Sequence, residues 1–114
     1  MRRLENRLED ILQAIQRIEE AAARGYEVFV SDPYVQVWML YHIQLIGEAV
    51  RSVSDELKSL RPDVPWPEIV AMRNILVHHY FGVELDDVWA VVERDIPDLK
   101  AAVQAMLADL EPET

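Results

Sequence analysis

The stretch from Tyr34 to Ile46 sets the terms for any fold of this chain. Tyr34, Val35, Val37, Trp38, Met39, Leu40, Tyr41, Ile43, Leu45 and Ile46 are apolar, with Gln36, His42 and Gln44 as the interruptions. Asp32 and Pro33 precede it, an N-cap and a first-turn proline whose missing N–H costs nothing there, so the segment reads as helix from its start. Wound on a helix, these side chains cover more than one face, and a helix apolar on most sides is buried on most sides. A chain of 114 residues is one domain, residues 1–114, with few elements of its own to do the covering. A second copy of the chain is the natural source of a further covering face. Past Gly47 the apolar pattern narrows to Ala49, Val50, Val53, Leu57 and Leu60, so this second helix is expected to run to about Leu60. Gly47 inside it costs up to about 1 kcal/mol relative to Ala, which a close helix crossing at that point would explain. The apolar stretch is too short and too interrupted to span a bilayer.

The rest of the chain also reads as helix. Leu4, Leu8, Ile11, Leu12, Ile15, Ile18 and Ala22 recur at three- and four-residue spacing, which predicts a first helix from about Leu4 to Arg24. Gly25 suits its C-terminal stop, and Tyr26 to Ser31 reads as a short connection folded over the core. Arg61 to Pro67 holds Pro62, Pro65 and Pro67 and is expected to be a connector. A third helix is expected over Pro67 to His79, with Trp66 as a staple at its start. Gly82 ends that unit. Asp86 is expected to cap a fourth helix bearing Val88, Trp89, Val91 and Val92. Asp95-Ile96-Pro97 then predicts a kink or restart before a last apolar stripe from Leu99 to Leu110. Glu111 to Thr114 reads as a polar tail. The expected fold is all-α, an up-and-down bundle of four to five helices.

Composition narrows the function. The absence of Cys removes disulfides, thiol nucleophiles and zinc–thiolate sites. The charged N-terminus lacks the apolar core of a secretory leader, so a soluble cytoplasmic protein is expected. The net charge of −10 opposes non-specific nucleic-acid binding and keeps an acidic surface soluble. Nine of the eleven basic residues are Arg, however, and Arg holds phosphate with paired N–H groups.

One segment gathers chemistry. Arg73-Asn74-Ile75-Leu76-Val77-His78-His79-Tyr80-Phe81 carries a cation, two of the chain's three histidines and a phenol. On a continuous helix Asn74 and His78 would share a face, and Arg73 and Tyr80 nearly another; Arg73 and His78 would lie about 140° apart. One helix therefore does not close a site, whereas a second copy facing it would. An imidazole is the usual acid or base near neutral pH, and Arg stabilises a pentavalent phosphorane. No Gly-rich phosphate loop or carboxylate cluster accompanies them. RNA cleavage, in which the ribose 2′-hydroxyl supplies the nucleophile, needs neither and no cofactor or metal. The same residues also have a plainer use, because Arg and His at a helix C-terminus suit the macrodipole and cap free carbonyls. His42, alone in an apolar helix, reads as a hydrogen-bonded core residue, and Glu48 as a cap or ion-pair partner of Arg51 or of another helix.

The order of these blocks resembles the HepT-like toxins of the HEPN superfamily. The pattern there is Arg, four residues, His, one residue, Tyr, matched here by Arg73, His78 and Tyr80 with a polar Asn74 after the Arg. Ile46-Gly47-Glu48-Ala49, Pro65-Trp66-Pro67-Glu68-Ile69, His78-His79-Tyr80-Phe81-Gly82-Val83 and Val88-Trp89 follow in the family's order. The resemblance implies a homodimer with its cleft at the two-fold interface, and a metal-independent RNase toxin acting on cellular RNA, tRNA being a known target class. It implies catalysis by Arg73 and His78, with Asn74 and His79 in support. It also implies silencing by a cognate minimal nucleotidyltransferase antitoxin that adenylylates Tyr80. Two other functions fit the residues: a non-catalytic helical dimer that binds a nucleotidyltransferase, and a helper subunit that supplies Arg73 to such a partner's nucleotide site.

Overall fold

A computed structural model of the chain describes residues 2–110, and every regular element among them is helical. The expected polar tail lies outside the described residues. Helix α1 spans Arg2–Ala22 and buries Leu8, Ile11, Ile15 and Ile18 completely. This is the predicted stripe, so the three-to-four spacing does fix which face turns inward. Helix α3, Pro33–Arg51, starts as its sequence dictates: the Asp32 carboxylate accepts the Tyr34 N–H at 2.9 Å, and Pro33 occupies the first turn. It packs on α1 along one side and on α5, Trp66–His78, along another. Met39, Ile43, Ile46 and Val50 of α3 meet the α1 stripe in one core, which Leu99 and Val103 of the last helix complete.

Three expectations about the elements need correction. The segment Tyr26–Ser31 is not a connection but a short helix, α2. Gly25, at φ 98°, reverses the chain after α1 and leaves α2 positioned to bury Phe29 fully. Phe29 and Tyr26 both pack on Trp89, at ring separations of 5.3 and 5.6 Å, and the Tyr26 hydroxyl donates to Asp86. Aromatic packing across the fold, invisible to local spacing, holds this single turn and a half of helix.

The second correction concerns the length of α3. It stops at Arg51 instead of continuing to Leu60, and a separate turn of helix, α4, spans Asp55–Lys58. Ser52 and Val53 close i→i+3 bonds, and the Ser54 hydroxyl accepts the Leu57 N–H. Serine side chains that bond nearby backbone compete with helix propagation. The break lets Val53 turn into the core, where it is buried. Trp66 is also buried, and its indole N–H donates to the Lys58 and Arg61 carbonyls, tying α4 to the start of α5. Helix α5 thus opens at Trp66, one residue earlier than expected.

Third, Asp86 does not cap the next helix. Glu84 occupies that position, α6 spans Leu85–Ala90, and Asp86 in its first turn receives the Tyr26 hydroxyl. Of the kink or restart expected at Asp95, the restart does not occur. A π turn over Val91–Asp95, with the Ile96 N–H donating to the Val91 carbonyl, carries α6 into α7, Ile96–Leu110. A proline inside a helix lacks its N–H and crowds the preceding turn; one wide turn just before Pro97 accommodates that ring without ending the helix. Among the described residues no helix is long and apolar enough to cross a membrane.

Candidate active site

Arg73, Asn74 and His78 ride on α5, which crosses α3 at Gly47. The crossing is closer than any side chain at that position would permit. A Cβ added to Gly47 would overlap Arg73 Cβ outright, lie 2.8 Å from Arg73 Cγ and reach within 3.4 Å of the Ile69 carbonyl. The close approach expected at Gly47 is therefore real, and its partner is the stem of Arg73.

That contact shapes the arginine. Arg73 is half-buried, and its Nη1 donates to Asn74 Oδ1 at 3.0 Å. Its Nε is buried, and among the described residues no hydrogen-bond partner meets it. Leaving a buried donor unpaired costs about 1–3 kcal/mol, and each such group in a native fold calls for an explanation. Nor does any carboxylate among the described residues form an ion pair with this guanidinium, unlike those of Arg7, Arg17 and Arg61. Its charge is thus unspent on the protein's own anions, in a chain whose charge is −10. Asn74, four residues before His78 on α5 and so on its face as expected, also holds the tip of Arg73.

The histidines end the helix. His78 is the last residue of α5 and is exposed. His79 leaves helical geometry at φ −138°, ψ 44°, while its N–H still donates to the Ile75 carbonyl at 2.7 Å. The chain then makes a 3₁₀ turn over Tyr80–Gly82. The helical angle between Arg73 and Tyr80 consequently has no meaning: the backbone changes direction at His79, the expected end of the third helix. Tyr80 opens the new turn and is 40% exposed. A hydrogen bond joins Arg73 to Asn74, and neither of them hydrogen-bonds to His78. Among the described residues no three of His, Cys, Asp and Glu cluster closely enough to hold a metal ion.

The other polar candidates are structural. His42 is buried on α3, with Nδ1 bonded to the Trp38 carbonyl at 2.7 Å and its ring packed on Trp38 and Tyr41, the core role expected of it. Glu48 accepts from Gln44 rather than pairing with Arg51. Sequence reading noticed Gly47 but missed its partner. The signal was present, because a glycine inside an apolar helix marks a close backbone approach; what lay opposite depended on the crossing.

The profile of a family described as ribonuclease HepT-like matches residues 11–106, which include the whole of α5 and the turn after it. The chain is 38% identical over 100 residues to a protein named "Probable ribonuclease HepT" from Thermococcus cleftensis, covering 87% of this chain and 91% of the relative. It is 37% identical over 101 residues to a "Putative RNase" of Caldanaerobacter subterraneus subsp. tengcongensis, covering 88% and 90%. A "Putative RNase" of Methanocaldococcus jannaschii is 33% identical over 98 residues, covering 85% and 90%. No solved structure matches the chain.

Proposed function

The chain belongs to the HepT-like ribonuclease family and is on that ground an endoribonuclease; we propose that it is the toxin of a toxin–antitoxin pair and cleaves cellular RNA without a metal ion. The observation that carries the mechanism is Arg73. It is a half-buried cation gripped by Asn74, without a carboxylate partner among the described residues, set five residues before an exposed imidazole on the same helix. Such a guanidinium suits the equatorial oxygens of a phosphorane, where a prearranged cation lowers the barrier. His78 takes the proton of the ribose 2′-hydroxyl, and O2′ attacks the adjacent phosphorus. An imidazolium in the cleft, with His79 as a supporting group, returns a proton to the departing 5′ oxygen. The products are a 2′,3′-cyclic phosphate and a free 5′-hydroxyl.

Because Arg73 and His78 stand about 140° apart around one helix, the working cleft in this reading lies between two copies related by a two-fold axis. The exposed stripe of Val37, Tyr41 and Leu45 on α3 supports such pairing, since it is the side of the apolar helix that the chain itself does not cover. Tyr80 is the switch. A cognate minimal nucleotidyltransferase would transfer AMP from ATP to its hydroxyl, which loses its proton as pyrophosphate departs, adding bulk and negative charge beside a site that must admit phosphate.

The decisive test is cleavage of RNA by purified His78→Ala. Loss of cleavage with helical content and oligomeric state preserved is the expected result; undiminished cleavage would remove His78 from the chemistry. Coexpression with the cognate nucleotidyltransferase should add the mass of AMP to the wild type and none to Tyr80→Phe. The same apolar stripe also favours a second reading, a non-catalytic dimer that only binds the nucleotidyltransferase. Unmodified protein that binds this partner tightly and cuts no RNA would select it.

A further inference from the structure

We propose that Gly47 is a positioning residue for Arg73, holding the guanidinium in place from a different helix. The proposal rests on the catalytic reading of Arg73 given above. Its basis is the α3–α5 crossing. Ile69 and Arg73, one turn apart on α5, straddle Gly47, and the two sides are unequal. The Ile69 carbonyl stands 3.4 Å from where a Cβ would be, an ordinary contact, whereas Arg73 Cβ and Cγ occupy the space itself. Arg73 Cβ is fixed to the α5 backbone and is not the movable end of a flexible chain. A methyl at position 47 therefore cannot be absorbed by a change of rotamer; α5 must shift away from α3.

The bare backbone of Gly47 thus acts as the floor on which the arginine stem lies. With the stem laid there, Nε is buried without a partner, and the far end of the guanidinium is held by Asn74. An arginine restrained at both ends has less freedom to lose when a phosphate arrives, and small displacements of such a group are costly to catalysis. A glycine kept only for packing would need no particular neighbour. Here the atoms that exclude a side chain are those of the proposed catalytic cation. The intrinsic helix preference runs the other way, because alanine is the better helix former in the middle of α3.

Gly47→Ala tests this in two independent readouts. In the wild type the Arg73 Nε–H should appear in a nitrogen–proton NMR correlation as an exchange-protected signal, identified by its loss in Arg73→Lys. In Gly47→Ala that protection should vanish, and RNA cleavage should fall about 100-fold, chiefly in kcat. Placed in an Arg73→Gly background, which removes both crowding atoms and the guanidinium, Gly47→Ala should cause no further loss of cleavage, because the group through which it acts is already gone. A Gly47→Ala protein with the Nε–H still protected and kcat within about twofold of wild type would overturn the proposal, as would additive losses in the double variant. Should the wild type cut no RNA, the catalytic reading fails, and the NMR signal still decides whether Gly47 holds Arg73. If Gly47→Ala does not fold, Gly47→Ala with Arg73→Gly lacks both crowding atoms and should recover the helical fold. Failure to recover it would overturn the assignment of the crowding to the arginine stem.

Discussion

Arg73 is held where one of its own donors goes unmet. Asn74 is the counterweight: its side-chain oxygen takes one N–H of the same guanidinium at 3.0 Å, which directs the remaining donors. Asn74→Ala should therefore let the tip of Arg73 wander while its stem stays on Gly47. On a fixed oligonucleotide, kcat should fall about tenfold, a loss of about 1.4 kcal/mol of transition-state stabilisation, with little change in KM. An unchanged kcat would leave Asn74 without a role in the chemistry. The residue types in this segment were legible from the chain, and so was their spacing. Their partnership was not, because residues one apart on a helix point in different directions, whereas the long Arg73 side chain reaches its immediate neighbour.

Elements end where tertiary contacts decide, and that shaped most of the corrections. Helix α2 exists because Phe29 finds Trp89, sixty residues further along the chain, and α3 stops where Val53 must turn inward. The π turn has its own signature in the titration of the fold. Desolvation raises the carboxyl of Asp95 above its ordinary range, with Glu68 across on α5 and Asp98 on α7 adding to the rise and Arg94 opposing it. A carboxyl raised on folding is most compatible with the native state when protonated. Its contribution is therefore fully present below the unfolded value near 3.8 and is lost as pH climbs through the higher folded value. Asp95→Asn, neutral throughout, should consequently raise the Tm at pH 7, and the gain should shrink towards zero as the pH is taken below the carboxylate range. Thermal melts across that range check it; a gain independent of pH would point to a cause other than the charge.

At the scale of the whole molecule, the described fold is thin. Its extents of 48 × 27 × 22 Å leave a shortest dimension of about two helix diameters. A bundle so thin cannot wrap α3 on every side, and Val37, Trp38, Tyr41 and Leu45 remain at the surface. The pairing proposed for this stripe predicts that Val37→Glu shifts the protein from dimer to monomer in sedimentation. Val37 is 54% exposed, so the change should alter the stability of one chain by no more than about 0.5 kcal/mol. RNA cleavage should fall with the dimer. A wild type that sediments as a monomer while cleaving RNA would remove the two-fold cleft.

The sequence by itself determined the all-α class, the inward face of α1, the start of α3 at Asp32 and Pro33, and the grouping of Arg73, Asn74, His78, His79 and Tyr80. Each of these follows from spacing or capping within a few residues, where helix geometry leaves little choice. The tertiary structure decided that Gly47 lies under the stem of Arg73, that α3 ends at Arg51, and that Asn74 takes the tip of Arg73. Those outcomes depend on which helix meets which, and at what distance, and local periodicity carries no record of the element on the other side of a contact.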